Sequence, residues 1–432
     1  MKNKIYQLTL TILILISGGS LMAQQCGTFD YENYLNTRFP GYSNSLEQTR
    51  QYSSNAAEKL YKASNDTVYR IPVVFHIVWN TPEQNIHDSL IFSQMKALNE
   101  SFRHTHKDTG KVRSTFKPVA GDSKIEFYLA TEDPDGKPTN GIDRFKTTKS
   151  DFGETNFFGE GVKSSFDKGV DAWNTEKYLN IWVCKFTYNG TIAITAYAFP
   201  PTNAQFWSSN NFTSSNLQGV VVNYQYVGLG NPNTQDASSM KERTLVHEVG
   251  HFLGLRHIWA DKNNICSGAD DGIKDTPLCK TANRNCGGTV NSCNEGTGDK
   301  PDMTENYMDY SPYPCTKMFT VGQTNLMRYN LLNLRSKLYK LETTTPPPVK
   351  PVYNKISVSS NPVKGDMKIT FNNKGDYQIL IIDYIGQKVL SEPFTVGDTY
   401  EYTKSLNLAP GFYYLSIISN YNAVHQQPIF VE

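Results

Sequence analysis

The chain has 432 residues, a formal net charge of +1 and 19% charged residues, without a basic tract. This balance argues against nucleic acid or an anionic membrane surface as the main partner. The 26 tyrosines and 22 phenylalanines indicate a globular protein with β structure, and the length allows two domains plus processed ends.

The first 23 residues are typical of a cleaved signal peptide. Two lysines precede an apolar run at 8–16, small residues follow, and we predict cleavage after Ala23. A membrane anchor is the alternative, but the run is shorter than the roughly 20 residues that span a bilayer. Cys26 invites a lipoprotein interpretation, which the two glutamines before it disfavour. We expect export and no transmembrane segment in the mature protein.

Residues 24–69 are polar and are predicted to form a pro-segment with one short helix from Leu46 to Leu60. At Arg70 the pattern changes to RIPVVFHIVW, a run of β-branched and aromatic residues that predicts a strand. We therefore expect a catalytic domain over 70–341.

The catalytic domain shows helical and strand patterns in alternation. Ile91, Met95, Leu98 and Phe102 recur at helical spacing and predict an amphipathic helix over 88–103. Strands are predicted where apolar runs lie between turn residues, at 125–130, 178–186, 194–199 and 219–224. This order predicts an α/β (α+β) fold.

Two more helices have clear start signals. One opens with a capping box from Ser239 to Glu242 and ends at Gly254. Another begins after Thr320, where Gln323 completes a capping box, and its apolar face runs to Leu338. The last of these helices is expected to close the domain.

The segment HEVGHFLGLRH at 247–257 predicts a zinc site. Residues four apart lie on one face of a helix, so His247 and His251 can both present a ring nitrogen to one ion. Gly254 can adopt positive φ and turn the chain, which brings His257 back as the third ligand. The fourth position then stays open for water.

The residue next to the first ligand supplies the chemistry. Three neutral imidazoles leave zinc its charge, which lowers the pKa of bound water, and Glu248 is placed to take that proton and pass it to the leaving amine. The sequence thus predicts a zinc metalloendopeptidase that hydrolyses peptide bonds in proteins. A structural zinc site is the alternative, but such sites are closed by a fourth protein ligand and gain nothing from Glu248.

This motif and NYMDYS at 306–311 resemble the metzincins and, within them, the pappalysin family. The resemblance covers about residues 70–338 and includes the stretches at 98–105, 133–145, 178–183 and 315–323. It implies a zinc protease domain with a twisted mixed sheet, Met308 as an apolar floor beneath the zinc, and Tyr310 as a hydrogen-bond donor to the oxyanion. The predicted strand at 194–199 departs from the family pattern, because Ala196 stands where the family has glycine before its Tyr-Ala.

Five of the seven cysteines lie directly after the histidine motif, at Cys266, Cys279, Cys286, Cys293 and Cys315. Export permits disulfides, and the absence of C-x-x-C pairs among these five excludes a zinc ribbon. By the family resemblance, Cys266 pairs with Cys293 and Cys286 with Cys315. Cys279 then has no partner, and Cys184 is expected to be a buried free thiol.

Two further ligand predictions concern the loop after the motif and the pro-segment. The acidic stretch at 267–277 offers Asp270, Asp271 and Asp275 as the oxygen ligands that calcium prefers, with solvated carboxylates as the alternative. Cys26 would reach the zinc and hold a zymogen latent, with an unpaired or oxidised surface thiol as the alternative.

Residues 342–352, ETTTPPPVKPV, predict an extended linker, and 353–432 alternate as in a small β-sandwich. The runs SSNPVKGDMKI, IIDYIGQKV and LAPGFYYLSI in this part resemble the C-terminal sorting domain of type IX secretion. That resemblance implies outer-membrane secretion machinery as a partner and a secreted or cell-surface location. The alternative interpretation of residues 353–432 is a carbohydrate- or surface-binding module. The alternative interpretation of the whole chain is a non-enzymatic adhesin with a vestigial zinc site.

Overall fold

The computed structural model describes most of the chain outside its N-terminus and linker. The described residues are 25–59, 67–154, 157–207, 215–234, 241–262, 264–268, 270–287, 289–341, 356–359, 361–371, 374–383, 387–419 and 422–432. The predicted signal peptide at 1–23, the linker at 342–352 and the Ser239 capping residue lie outside them.

The predicted pro-segment forms a short strand and two helices. Strand β1 (Gln25–Cys26) is followed by helices α1 (Thr28–Arg38) and α2 (Tyr42–Lys59). The sequence predicted only one helix here, from Leu46 to Leu60. The sequence did not predict α1 because its amphipathic pattern is weak. Tyr31 and Leu35 are the only buried apolar side chains of this helix.

The catalytic part is built on an eight-stranded mixed sheet. The strands of this part that follow β1 are β2 (Tyr69–Trp79), β3 (Ile125–Leu129), β4 (Ile142–Lys146), β5 (Leu179–Cys184), β6 (Ile194–Ala198), β7 (Val220–Asn223) and β8 (Lys340–Leu341). Its helices are α3 (Asp88–Phe102), α4 (Arg243–Phe252) and α5 (Val321–Asn333). The strand order is β1-β6-β7-β5-β2-β3, and β4 and β8 also pair with β2. Strand β6 runs antiparallel to β7, whereas β1 runs parallel to β6. The predicted α/β fold is confirmed.

Two cores lie on the two faces of this sheet. In β5, Ile181 and Val183 join a core with side chains of α3, α4 and α5, whereas Trp182 and Cys184 belong to a second core. The split follows from the alternation of side chains along a strand. The predicted apolar face of α3 is confirmed, since all four of its predicted residues are buried in the first core.

The second core depends on the pro-segment. Tyr31, Leu35, Tyr42 and Leu46 are fully buried in it, against side chains from the outer face of the sheet. Burying one such side chain contributes roughly 1.5–3 kcal/mol. The pro-segment is therefore an integral layer of this fold.

Helix α5 shows the predicted capping box. The Thr320 side chain accepts a hydrogen bond from the backbone of Gln323, whose own side chain accepts from the backbone of Thr320. The helix ends at Asn333, before Leu338, although Leu338 is buried in the first core.

The residues after the linker form two antiparallel sheets with a separate core. The strands are β9 (Ser357–Ser359), β10 (Asp366–Thr370), β11 (Gly375–Asp383), β12 (Lys388–Val396), β13 (Glu401–Ser405), β14 (Gly411–Ser419) and β15 (Asn422–Val431). One sheet has the order β13-β10-β9 and the other β12-β11-β14-β15. The predicted small all-β module is confirmed. Among the helices that the structure describes, none has the length and apolar character needed to cross a bilayer.

Candidate metal centre and cleft

Helix α4 and the turn after it bring three histidines together. His247 and His251 lie one turn apart on α4 and are buried. The chain then reverses at Gly254, whose φ of +101° disfavours any side chain and whose added Cβ would collide with Asn330. The reversal brings His257, which is fully buried, back toward the helix.

The three ring Nε2 atoms form a triangle, with all three separations at 3.1 Å. Each Nδ1 faces a hydrogen-bond acceptor instead. The acceptors of His247, His251 and His257 are the Tyr307 carbonyl at 2.6 Å, the Leu255 carbonyl at 2.8 Å and the Asp261 carboxylate. A neutral ring held in this way carries its proton on Nδ1. The unprotonated Nε2 atoms of the three rings therefore direct their lone pairs toward the centre of the triangle.

Burial lowers the pKa of the two histidines on α4. Burial lowers the pKa of His247 well below its ordinary value, and the neighbouring His257 lowers it further. Burial likewise lowers the pKa of His251, with His257 and His247 as the next causes. Three imidazoles whose Nε2 atoms lie at this spacing are the donor set that a borderline-soft divalent cation prefers.

Cys26 is the fourth member of the group. The ligand atoms of Cys26 and the three histidines all lie within 4.8 Å of one another, and the cysteine is buried. Strand β1 places it there, because Cys26 pairs with Ala196 of β6 and the next amide, of Gly27, donates to the Ala196 carbonyl at 2.8 Å. Burial raises the pKa of the Cys26 thiol well above its usual value, and the nearby Glu248 carboxylate raises it further.

Glu248 lies beside this cluster and is in contact with the pro-segment. Its Oε2 accepts a 2.9 Å hydrogen bond from the Thr28 hydroxyl, and that hydroxyl accepts one of 2.9 Å from the Ala198 amide. Burial raises the pKa of Glu248 to about 7, and contacts with Cys26 and Thr28 oppose the rise. The carboxylate that could accept a proton from water is thus occupied by a pro-segment side chain.

Met308 and Tyr310 lie on the turn beneath the histidines. An added Cβ at Gly250 of α4 would lie 2.6 Å from the Met308 sulfur, so this methionine packs directly against α4. The Tyr310 ring lies 4.9 Å from the His257 ring, edge to face, and its hydroxyl donates to the Cys26 carbonyl at 3.1 Å. Tyr310 therefore already binds a peptide carbonyl next to the metal cluster.

The loop between α4 and the turn is held by two disulfides, Cys266–Cys293 and Cys286–Cys315. These are the pairs that the family resemblance implies. Cys279 and Cys184 are buried and free. Burial raises the pKa of both thiols.

The three aspartates of the acidic loop accept hydrogen bonds from different neighbours. Asp270 accepts from the Gly272 amide, Asp271 from Ile273 and Thr276, and Asp275 from Gly322. Burial raises the pKa of Asp271 to about 8. Within the described ranges the histidine and cysteine group is the sole cluster of ligand side chains, so the loop carboxylates do not converge.

Sequence reasoning missed several residues of the site. Asp261 orients His257 from four positions further along the chain, and Trp259 stacks on the same ring at 4.3 Å. Thr28, two residues after Cys26, contacts Glu248. The spacing of Asp261 from His257 is a local signal for a hydrogen-bonded pair, whereas nothing in the sequence points from Thr28 to Glu248.

Comparison with known proteins gives two family matches. Residues 164–332 match the peptidase family described as pregnancy-associated plasma protein-A, and residues 357–432 match the secretion system C-terminal sorting domain. An extracellular metalloprotease of Arthroderma benhamiae is 38% identical over 257 residues, which cover 59% of this chain and 74% of that protein. An extracellular metalloprotease of Arthroderma gypseum is 24% identical over 323 residues, covering 75% and 89%.

Two solved structures are also similar. Mature mirolysin of Tannerella forsythia, in complex with a cleaved peptide, is 39% identical with a TM-score of 0.55 over 63% of this chain and 96% of that one. A promirolysin mutant from the same organism is 35% identical with a TM-score of 0.60 over 73% and 97%.

Proposed function

Because the chain belongs to the peptidase family of pregnancy-associated plasma protein-A and is a secreted metalloendopeptidase, we propose that zinc is its metal and that His247, His251 and His257 bind it. The observation that carries the proposal is the triangle of Nε2 atoms at 3.1 Å. Their protons are engaged at Nδ1, so these nitrogens cannot bond one another and need a cation between them. Zinc–nitrogen bonds of 2.0–2.1 Å fit a triangle of this size.

Peptide hydrolysis requires the zinc bound to the three histidines and the carboxylate of Glu248. When bound, zinc supplies a Lewis acid that polarises the scissile carbonyl and makes water more acidic. Glu248 accepts the proton of the attacking water and returns it to the leaving amine. Both roles require that the Thr28 hydroxyl, which now occupies its Oε2, has left.

Tyr310 binds the oxyanion. Its hydroxyl already donates to a peptide carbonyl oxygen, that of Cys26, and the same donor is available to the carbonyl of a substrate once residue 26 has left. Donors aimed at the position where negative charge develops stabilise the transition state most. The aromatic contacts with His257 and Trp259 fix the orientation of the ring.

The substrates are peptides in extended conformation. With β1 removed, β6 becomes an edge strand whose Ala196 carbonyl and Ala198 amide are open to pairing. Backbone pairing along such an edge is a common mode of peptide binding. An extended segment of a protein substrate would therefore bind to the same edge of β6 that the pro-segment now occupies.

Metal removal tests this function. Treating the activated enzyme with a zinc chelator is expected to abolish cleavage of casein, and added zinc is expected to restore it, because no described side chain can replace the Lewis acid. The measurement is the release of soluble peptides before and after chelation. Cleavage that persists in the metal-free enzyme contradicts the proposal.

Latency follows from residues 26–28 of the pro-segment. Cys26 lies where it would complete the coordination of the metal, Thr28 binds Glu248, and the Cys26 carbonyl binds Tyr310. These three contacts engage every group that the mechanism uses. We infer that the thiol of Cys26 acts as the ligand that keeps the zymogen inactive.

The helices of the pro-segment hold these contacts in place. Arg38 of α1 pairs with Glu160, Glu47 of α2 pairs with Arg256, and the buried tyrosines fill the second core. Arg256 directly precedes a metal ligand, so the helices are attached close to the site. Loss of the thiol alone is thus expected to weaken latency without uncovering the whole cleft.

Substituting Cys26→Ala is expected to raise the spontaneous activity of the full-length chain by about tenfold or more, the order of effect of losing a zinc ligand or its support. Casein cleavage by freshly purified zymogen measures this. Cys184→Ala is the matched control, since Cys184 is equally buried and free but lies in β5. Equal latency of Cys26→Ala and the parent rules the thiol out.

Calcium remains a prediction from the sequence for the acidic loop at 267–277. Asp271 is buried, and its carboxyl accepts hydrogen bonds from Ile273 and Thr276. The three carboxylates do not converge in the structure, so we assign calcium no ligand set and no step in the mechanism.

Residues 1–23 are proposed as the signal peptide, and the tail as the part that the outer-membrane secretion machinery recognises. The match of residues 357–432 to a sorting domain supports the second assignment. The domain limits 24–69, 70–341 and 353–432 are part of the same proposal.

Deleting residues 353–432 is expected to abolish appearance of the enzyme in the culture medium of a host with type IX secretion. The tail has its own core, so its removal leaves the catalytic core intact. Immunoblots of medium and cells give the secreted fraction. Normal export together with weaker substrate binding favours a binding module instead.

A further inference from the structure

A buried polar cluster is linked to the metal site through Tyr307, whose backbone carbonyl accepts a hydrogen bond from His247. It consists of His106 and Asp108, which follow α3, Arg243, which begins α4, and Tyr307, which lies in the turn under the histidines. All four residues are at most 7% exposed. We call these four residues the His106 cluster. Its side chains play no part in the mechanism above.

The contacts within the cluster form a chain. The Tyr307 hydroxyl lies 2.7 Å from His106 Nε2, and His106 Nδ1 pairs with the Asp108 carboxylate. The other Asp108 oxygen accepts from Arg243 at 2.7 Å. The chain thus connects the turn to the first residue of the ligand helix.

His106 and Asp108 both have polar partners inside the cluster. Its Nε2 lies 2.9 Å from the Lys317 carbonyl, which can only accept, so this nitrogen carries a proton. Burial alone would raise the pKa of Asp108, but hydrogen bonds from His106 and Arg243 hold that pKa well below its usual value. His106 thus lies between the Asp108 carboxylate and the Lys317 carbonyl. The bond between Asp108 and Arg243 is charge-assisted, and such bonds are stronger than neutral ones.

We propose that the His106 cluster positions the first metal ligand. The backbone carbonyl of Tyr307 accepts the 2.6 Å hydrogen bond from His247 Nδ1, while the side chain of the same residue is anchored on His106. Arg243 anchors the donor side, since it lies one helical turn before His247 on α4. Both partners of one hydrogen bond are therefore held by the same cluster.

This role rests on the proposed function of His247 as a zinc ligand. A carbonyl that orients a ligand imidazole fixes both the direction and the basicity of its Nε2. Changes to such partners typically weaken metal binding by 10–100-fold. Members of the cluster touch neither substrate nor metal, so the effect should be on zinc affinity and not on turnover at saturating zinc.

Tyr307→Phe is the sharpest test, because it removes only the hydroxyl and keeps the buried ring. The full-length chain carrying Cys26→Ala serves as the parent, so that the three imidazoles alone determine affinity. Competition with a chromophoric chelator gives the dissociation constant for zinc. We expect Tyr307→Phe and His106→Gln each to raise it by about tenfold or more.

His76→Gln is the matched control. His76 is also fully buried and bridges Asp143 at 3.0 Å and Asn180 at 2.9 Å, but it lies in β2 and its partners are not part of the metal cluster. We expect it to lower the midpoint of thermal unfolding while zinc affinity stays within about twofold of the parent. A similar loss of affinity in His76→Gln would mean general destabilisation and would overturn the proposal.

Activity at high zinc provides a second readout. After removal of the pro-segment, a higher zinc concentration is expected to restore kcat of the Tyr307→Phe variant to the parent value. The reason is that the His106 cluster affects only the fraction of chains with zinc bound to the three histidines. Zinc affinity equal to the parent in Tyr307→Phe overturns the inference, even if His106→Gln fails to fold. A parent chain that binds no zinc overturns the proposed function instead, so the two failures are distinct.

Discussion

Replacing Glu248 by glutamine is expected to lower kcat of the activated enzyme by about 10²- to 10⁴-fold, the range that a general acid–base contributes. The carboxylate is fully buried beside the metal cluster, and an amide of the same shape fills its place without a cavity. The amide cannot take up a proton from water. The initial rate of peptide cleavage, measured with zinc content, separates this loss from loss of metal.

Glu242→Gln is the matched control for that experiment. Glu242 is also buried, directly precedes α4 and has a pKa raised chiefly by burial, but it is not part of the metal cluster. We expect this variant to retain activity close to the parent. If the Glu248 variant keeps more than about a tenth of the parent kcat, another group must be the base.

Substituting His257→Ala is expected to weaken zinc binding by at least about a hundredfold and to reduce activity to background at ordinary zinc concentrations. Zinc sites in small domains have binding free energies of about 10–16 kcal/mol, so one ligand of four accounts for a few kcal/mol. The substitution also removes the ring on which Trp259 stacks and beside which Tyr310 packs. Equilibrium dialysis with zinc gives the affinity.

His425→Ala controls for the loss of a histidine elsewhere. His425 lies in β15 of the tail and contacts Gln427, remote in sequence from the motif. We expect unchanged zinc binding and unchanged cleavage in this variant. Full zinc occupancy and activity in His257→Ala would show that the third ligand is a different residue.

Local patterns predicted the elements that carry the ligands. The spacing of His247 and His251 follows from the helical period, and Gly254 marks the reversal that returns His257. Thr320 and Gln323 form the predicted capping box. These features depend on residues within a few positions of one another, which is why a single sequence reveals them.

Contacts between distant parts of the chain could not be predicted. Thr28 and Glu248 are 220 residues apart, and Tyr310 reaches the carbonyl of Cys26 over 284 positions. Helix α1 was missed because its polar sequence folds against the outer face of the sheet and gains stability from that packing. No local pattern records which surface a segment will cover.

X-ray absorption at the zinc edge of the purified full-length chain, before and after activation, identifies the atoms that bind the metal. Before activation we expect one zinc per chain with three nitrogen ligands at 2.0–2.1 Å and one sulfur at about 2.3 Å. After activation we expect the same three nitrogens without the sulfur. A spectrum dominated by oxygen ligands, or sulfur that persists in the active enzyme, contradicts this expectation.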